Sequence, residues 1–119
     1  MEYARAMVYL RPDLEAGVDY HTPAPTELQW LNDSVQPTIE ELEAAYPIQK
    51  EIDEITNLER EAVYTRQKWL TAEMMPEGVL KDRKLAKYET YWVELLTEYT
   101  IRTSTLIATH GEEIIDKLI

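Results

Sequence analysis

The sequence predicts a mainly α-helical protein in which a long antiparallel helical hairpin follows a small N-terminal segment. Two long stretches of the chain carry apolar residues at spacings of three and four, which is the pattern of amphipathic helices. Four of the six prolines lie before residue 40, and Pro76 lies between the two periodic stretches. We therefore expect a small N-terminal segment over residues 1–37 and the hairpin over residues 38–119.

The N-terminal segment is predicted to contain a short helix and a small β-hairpin. Residues 2–10 carry apolar or small side chains at helical spacing, and Arg11 before Pro12 is a stop signal for that helix. Residues 18–20 and 27–31 are short and β-prone, and the stretch between them contains two prolines typical of a turn.

The first long helix is predicted to begin after Thr38, because Thr38 and Glu41 have the spacing of a capping box. Apolar residues then recur as far as Leu70. Pro47 falls inside this stretch and removes one backbone donor, so we expect a kink or a break over residues 43–46, and a bend rather than an end of the helix.

The second long helix is predicted to follow the Pro76-Glu77-Gly78 turn and to reach about Thr109, where Gly111 ends it. Only Arg102 interrupts its apolar seam. Residues 112–119 add a short amphipathic turn. Residues 100–109 also alternate β-branched side chains in a strand pattern, and continuity with the preceding helix favours the helical interpretation.

Composition excludes several classes of protein. The 119 residues carry 23 acidic and 12 basic side chains, a formal charge of −11, so nucleic-acid phosphates and anionic lipids would be repelled. The chain contains no cysteine, which removes disulfides and thiolate metal sites. No apolar run is long enough to span a bilayer, and we expect the protein to be cytoplasmic.

No motif points to catalysis, a metal or another cofactor. The Glu-x-x-His pattern of bundle metal sites is absent, because neither His21 nor His110 has an acidic residue or a histidine three or four residues before it. No serine lies in a nucleophile motif. We therefore expect a protein that is not an enzyme.

Acidic residues concentrate on the first long helix, and they support an alternative function. They are Glu40, Glu41, Glu43, Glu51, Asp53, Glu54, Glu59 and Glu61. Such a stretch usually keeps a helical protein soluble. The alternative is that it mimics nucleic-acid phosphates and inhibits a host nucleic-acid-binding protein.

Aromatic residues give the stronger indication of function. The chain has no Phe but eight Tyr and three Trp, which are favoured at interfaces. Tyr91 and Trp92 point about 100° apart on a helix, so both cannot lie in one narrow seam. Either one faces a partner or both pack within the hairpin. The predicted partner-binding residues are Trp69, Tyr88, Tyr91, Trp92 and Leu95, with Trp30 anchoring the N-terminal segment.

Several short motifs resemble proteins of bacteriophage tails. Residues 30–33 (WLND) and 36–45 (QPTIEELEAA) resemble an element of small proteins encoded among phage tail and tail-fibre genes, as does the opening at residues 3–20. Residues 66–73 (RQKWLTAE) and 82–95 (DRKLAKYETYWVEL) are similar to the C-terminal module of phage tail assembly chaperones. Met74-Met75 and Tyr91-Trp92 depart from that module, which has Asp-Trp and Tyr-Arg pairs.

This resemblance implies a non-enzymatic tail protein that binds a tail-fibre or baseplate protein. It would act as an assembly chaperone in the host cytoplasm or as a minor component retained in the virion tail. Association with a second copy of the chain is a further expectation. The resemblance implies no catalytic residue.

Overall fold

The computed structural model describes residues 1–119 and confirms the predicted fold class. Two long helices, α2 and α3, form a hairpin that follows a short helix and a two-stranded antiparallel sheet. The elements in chain order are α1 (Tyr3–Leu10), β1 (Tyr20–His21), β2 (Gln29–Trp30), α2 (Ile39–Glu73), α3 (Val79–His110), a 3₁₀ turn (Glu112–Ile114) and α4 (Ile115–Leu118).

The chain divides into two compact units, Met1–Asp53 and Glu54–Ile119. The division lies inside α2 and not between residues 37 and 38, the predicted boundary at which the chain becomes helical. The difference has a physical cause. Leu42 and Ala45, in the first turns of α2, are buried in the same cluster as residues of α1.

The first unit packs α1 and the sheet around a small core. The buried members of this core are Tyr3, Ala6, Met7, Tyr20, Leu42 and Ala45. Half-buried apolar and aromatic side chains, including Leu14 and Trp30, pack against them. The backbone N–H of Tyr3 donates to the carbonyl of Pro25 at 2.7 Å, which ties the start of α1 to the loop between the strands.

The predicted β-hairpin is present in a shorter form. Tyr20 pairs with Trp30 and His21 with Gln29, in antiparallel register. Side chains hold the neighbouring backbone: Asp19 accepts from the Glu15 N–H at 2.9 Å and from the Asn32 side-chain amide at 2.8 Å. These bonds lower the pKa of Asp19.

The capping box at the start of α2 is confirmed. The Glu41 N–H donates to Thr38 Oγ1 at 3.1 Å, and the Thr38 N–H donates to Glu41 Oε1 at 3.3 Å. Two backbone donors of the first turn are thereby satisfied. Pro47 lies within α2, which continues without a break from Ile39 to Glu73. The prediction that the proline does not end the helix is therefore confirmed, and the break that was expected as the alternative to a kink over residues 43–46 is absent.

In the second unit, the later part of α2 packs along α3 through a narrow seam. Ile55, Ala62, Ala72 and Leu95 are buried there. The small alanines allow the two backbones to approach. Arg102, which interrupts the apolar pattern of α3, forms an ion pair with Glu54 of α2.

Residues 100–109 are helical, as the continuity argument predicted. The hydroxyls of Thr103, Thr105 and Thr109 each donate to the carbonyl four residues earlier, at 2.6–2.8 Å. These bonds satisfy the polar atoms of the β-branched side chains within the helix.

Gly111 ends α3 as predicted. Its φ is +82°, a conformation that glycine adopts readily, and its N–H donates to the Ile107 carbonyl at 2.7 Å. Ile114 in the following turn is buried. No helix of the protein combines the length and apolar character needed to cross a membrane.

Candidate functional site

Two surface grooves flank the seam of the second unit, one on each side of the line marked by Leu95. The first, the aromatic groove, is lined by Glu59, Ala62, Val63, Arg66, Gln67, Trp92, Leu96 and Tyr99. The second, the tyrosine groove, is lined by Glu61, Tyr64, Thr65, Lys68, Lys87, Tyr88 and Tyr91. Tyr91 and Trp92 therefore lie on different sides of the seam, as their 100° separation on a helix requires.

The aromatic groove is open and mostly apolar. Its volume is about 380 Å³. A second depression of about 340 Å³ shares Leu96 with it and extends along α3 past Val93 and Ile101. Val63, Val93 and Ile101 are each more than half exposed, so this face presents large apolar side chains to water. An extended apolar surface of this kind is typical of an interaction site.

Arg66 lies over two tryptophans, Trp92 of this groove and Trp69, which lines neither groove. The Arg66 guanidinium carbon lies 4.3 Å from the ring centroid of Trp69 and 5.2 Å from that of Trp92. Both distances are within the range of cation–π attraction. Trp69 Nε1 is fully buried and has no hydrogen-bond acceptor. A buried donor without a partner destabilises the fold by about 1–3 kcal/mol, so this aromatic cluster is not optimised for stability.

The tyrosine groove has a different character because lysines border its aromatic rings. Lys68 Nζ lies 4.5 Å from the ring centroid of Tyr64 and 5.9 Å from that of Tyr88. The Tyr91 hydroxyl donates to Glu61 Oε2 at 3.4 Å, and the side chain is 46% exposed. This groove therefore offers hydroxyls and cations rather than a continuous apolar surface.

Two of the predicted partner-binding residues have structural roles. Leu95 is 5% exposed and lies in the seam, so it supports the grooves from beneath and cannot reach a partner. Trp30 lies in the first unit, where it packs against the core and donates through Nε1 to the Ser34 carbonyl at 2.9 Å.

The acidic residues of α2 are divided among several internal partners. Glu41 caps the helix, Asp53 pairs with Arg5, Glu54 pairs with Arg102, and Glu61 accepts from Tyr91. These four are half of the eight acidic residues of this stretch, and the phosphate mimic stays the alternative function.

Arg5 and Asp53 form an ion pair between α1 and α2 in the first unit. Arg5 donates to both carboxylate oxygens, at 2.8 and 2.6 Å, and Gln49 donates to one of them at 2.9 Å. Partial burial of Asp53 acts to raise its pKa, but the bonds from Arg5 and Gln49 outweigh burial, and the pKa is lowered. The pKa of Arg5 is raised by the same hydrogen bond.

No group of three or more histidine and acidic side chains is placed to hold a metal ion. His21 and His110 are both exposed. Neither lies in one of the two grooves.

Of the residues that line the aromatic groove, only Trp92 was among the predicted partner-binding residues. The residues that the prediction missed include Val63, Arg66, Leu96 and Tyr99. Each lies one helical step from a buried seam residue, on the same side as Trp92. Once Ala62 and Leu95 are known to lie in the seam, these groove residues can be identified from the sequence. Residues one, three or four positions away from a seam residue point in defined directions on a helix.

Comparison with known proteins adds no further assignment to this geometry. The chain matches no protein-family model, and no curated protein or solved structure is significantly similar to it.

Proposed function

We propose that this protein is a non-enzymatic interaction protein that binds an apolar helix of a partner in the aromatic groove. The observation that carries the proposal is the continuous apolar face along α3, formed by Trp92, Val93, Leu96 and Ile101. A groove between two antiparallel helices accepts a third helix in the manner of other helix-in-groove complexes.

The partner's chemistry follows from the composition of the groove. Val63, Leu96 and Trp92 favour aliphatic anchors spaced three and four residues apart on the partner helix. Arg66, which covers the tryptophans, could meet an acidic residue at the edge of such a helix. The resemblance to phage tail proteins makes a tail-fibre or baseplate protein the proposed partner, with the chain acting as an assembly chaperone or a minor virion component.

Photo-crosslinking in the native host tests this proposal. A photoreactive phenylalanine derivative at position 96 reports the groove, and the same residue at position 90 is the matched control, because Thr90 is exposed on α3 and lies outside both grooves. The expected result is one dominant adduct at position 96, identified by mass spectrometry as a fibre or baseplate protein, with no equivalent at position 90.

The same adduct from both positions, or none from position 96, would contradict the proposal. An adduct with a nucleic-acid-binding protein would favour the phosphate-mimic alternative. Mass spectrometry of purified virions then separates the two phage roles: a fixed copy number indicates a structural component, and presence only in the infected cell indicates a chaperone.

A further inference from the structure

Seven residues of α3 form a stripe along the helix: Leu80, Lys84, Lys87, Tyr91, Glu94, Glu98 and Ile101. Two lysines come before its centre and two glutamates after it, so an identical stripe that runs in the opposite direction would place lysines opposite glutamates. Tyr91 is the centre of the stripe. Lys84 and Lys87 precede Tyr91, and Glu94 and Glu98 follow it. Leu80 and Ile101 stand at the two ends.

The spacing along this stripe alternates between four and three residues from Leu80 to Ile101. A mean repeat of 3.5 residues keeps all seven side chains on one side of a helix that pairs with another helix. Lys87 and Tyr91 of this stripe line the tyrosine groove, across the seam from the aromatic groove, and Ile101 is the one residue that the stripe shares with the apolar face of the proposed function. At 1.5 Å per residue the stripe extends about 32 Å along α3.

The monomer leaves this stripe largely without partners. Leu80 is 62% exposed and Ile101 is 61% exposed, although both are large apolar side chains on a well-formed helix. Lys84, Lys87 and Glu94 take part in no ion pair within the chain. Glu98 has only a long contact of 3.5 Å with Arg102.

We propose that α3 binds α3 of a second copy of this chain in antiparallel orientation, about a two-fold axis at Tyr91. In that arrangement Lys84 meets Glu98 of the other copy, and Lys87 meets Glu94. Leu80 packs against Ile101 at both ends, and the two Tyr91 rings meet at the centre. Each contact occurs twice, as a two-fold interface requires.

Charge selects this orientation over its alternative. In a parallel pair, lysines would face lysines and glutamates would face glutamates, and like charges in contact oppose association. Lys87, Glu94 and Glu98 are exposed and Lys84 is half-buried. Ion pairs at such positions set orientation and register, while the apolar ends and the tyrosines supply the burial.

Charge reversal tests the pairing. In sedimentation equilibrium, the wild-type chain should dimerise, and the dimer should weaken as ionic strength rises. The variants Lys84→Glu/Lys87→Glu and Glu94→Lys/Glu98→Lys should each dissociate at least about tenfold more readily, because every cross-pair becomes repulsive. An equimolar mixture of the two variants should form a heterodimer, which also shows that both are folded.

Cysteine crosslinking tests the orientation, since the natural chain has no cysteine. Under oxidation, a mixture of Leu80→Cys and Ile101→Cys should form a disulfide-linked dimer, whereas each variant alone should not. The inference is overturned if the wild type stays monomeric at about 0.1 mM, a concentration that populates even weak specific dimers. It is also overturned if the mixed charge variants fail to associate, or if Leu80→Cys crosslinks with itself.

Discussion

Thr38 shows at the scale of one residue how the sequence fixes the start of α2. Its hydroxyl accepts from the Glu41 N–H, and the Glu41 carboxylate returns the bond. Thr38→Ala should lower the free energy of unfolding by about 1 kcal/mol, the usual loss for a capping hydroxyl. Thr38→Ser is the control and should retain most of that stability in chemical denaturation. Equal stability of Thr38→Ala and the wild type would show that the cap contributes nothing.

The bond between Arg5 and Asp53 gives the first unit a pH-dependent contribution to stability. The pKa of Asp53 is lower in the folded chain than in the unfolded chain, so its contribution is complete above the unfolded value of about 3.9 and is lost as pH falls through the folded value. Asp53→Asn should therefore cost stability at neutral pH and progressively less in acid.

The size of that contribution is limited because both side chains are about two-fifths exposed. A double-mutant cycle of Asp53→Asn and Arg5→Gln should give a coupling free energy of about 0.2–1 kcal/mol at pH 7. A coupling that grows as pH falls below about 4 would contradict the assignment, since protonated Asp53 cannot form the ion pair.

Tyr91 and Trp92 should respond differently to truncation. Trp92 is half-buried beside Arg66, whereas Tyr91 is 46% exposed. Trp92→Ala should lower the free energy of unfolding by roughly 2 kcal/mol, less than the loss for a fully buried tryptophan. Tyr91→Ala should change it by less than about 1 kcal/mol, because it removes mainly surface contacts. Equal losses in thermal denaturation would contradict the placement of the two rings.

At the scale of an element, Pro47 lies in a helix although proline disfavours helical structure. Proline inside a helix removes a hydrogen bond and is disfavoured by about 3 kcal/mol relative to alanine, yet α2 continues through it. Pro47→Ala should raise the free energy of unfolding by about 1–3 kcal/mol. Pro37→Ala, one residue before the cap, is the control and should give no such gain. A loss of stability in Pro47→Ala would show that the proline itself is needed there.

The helices were predictable because their signals are local. The capping box, the turn at Pro76 and the stop at Gly111 each depend on a few neighbouring residues, and each is present in the structure. The strands were less predictable in length, since only Tyr20–His21 and Gln29–Trp30 pair. Pairing depends on residues distant in sequence, and the two-proline loop between these strands limits its extent.

At the scale of the whole molecule, the division into units and the grooves depend on which helix faces pack. The sequence grouped Tyr88, Tyr91, Trp92 and Leu95 as partner-binding residues, although Leu95 is buried and Tyr91 is exposed. An apolar stripe alone does not reveal which of its positions the neighbouring helix covers. The boundary at Asp53 was hidden for the same reason: α2 is continuous in sequence pattern, and only packing assigns its first turns to α1.

Ionic strength distinguishes the two functions considered for this chain. Binding through the aromatic groove depends on apolar burial and should change little between about 0.05 M and about 0.5 M salt. A phosphate mimic would lose affinity for a basic partner steeply over this range. Titration calorimetry with the crosslinked partner at the two salt concentrations gives the comparison.

The most direct measurement for the aromatic groove is the affinity of two matched variants for the crosslinked partner. Val63→Glu puts a charge in the groove at a position that is 54% exposed, and Val79→Glu makes the same change at a position that is 67% exposed and outside it. Both should melt near the wild-type temperature. We predict that Val63→Glu weakens binding at least about tenfold and that Val79→Glu leaves it unchanged, because only the first buries a carboxylate against an apolar partner. Unchanged affinity in Val63→Glu, or equal losses in both variants, would contradict the assignment of the groove as the binding site.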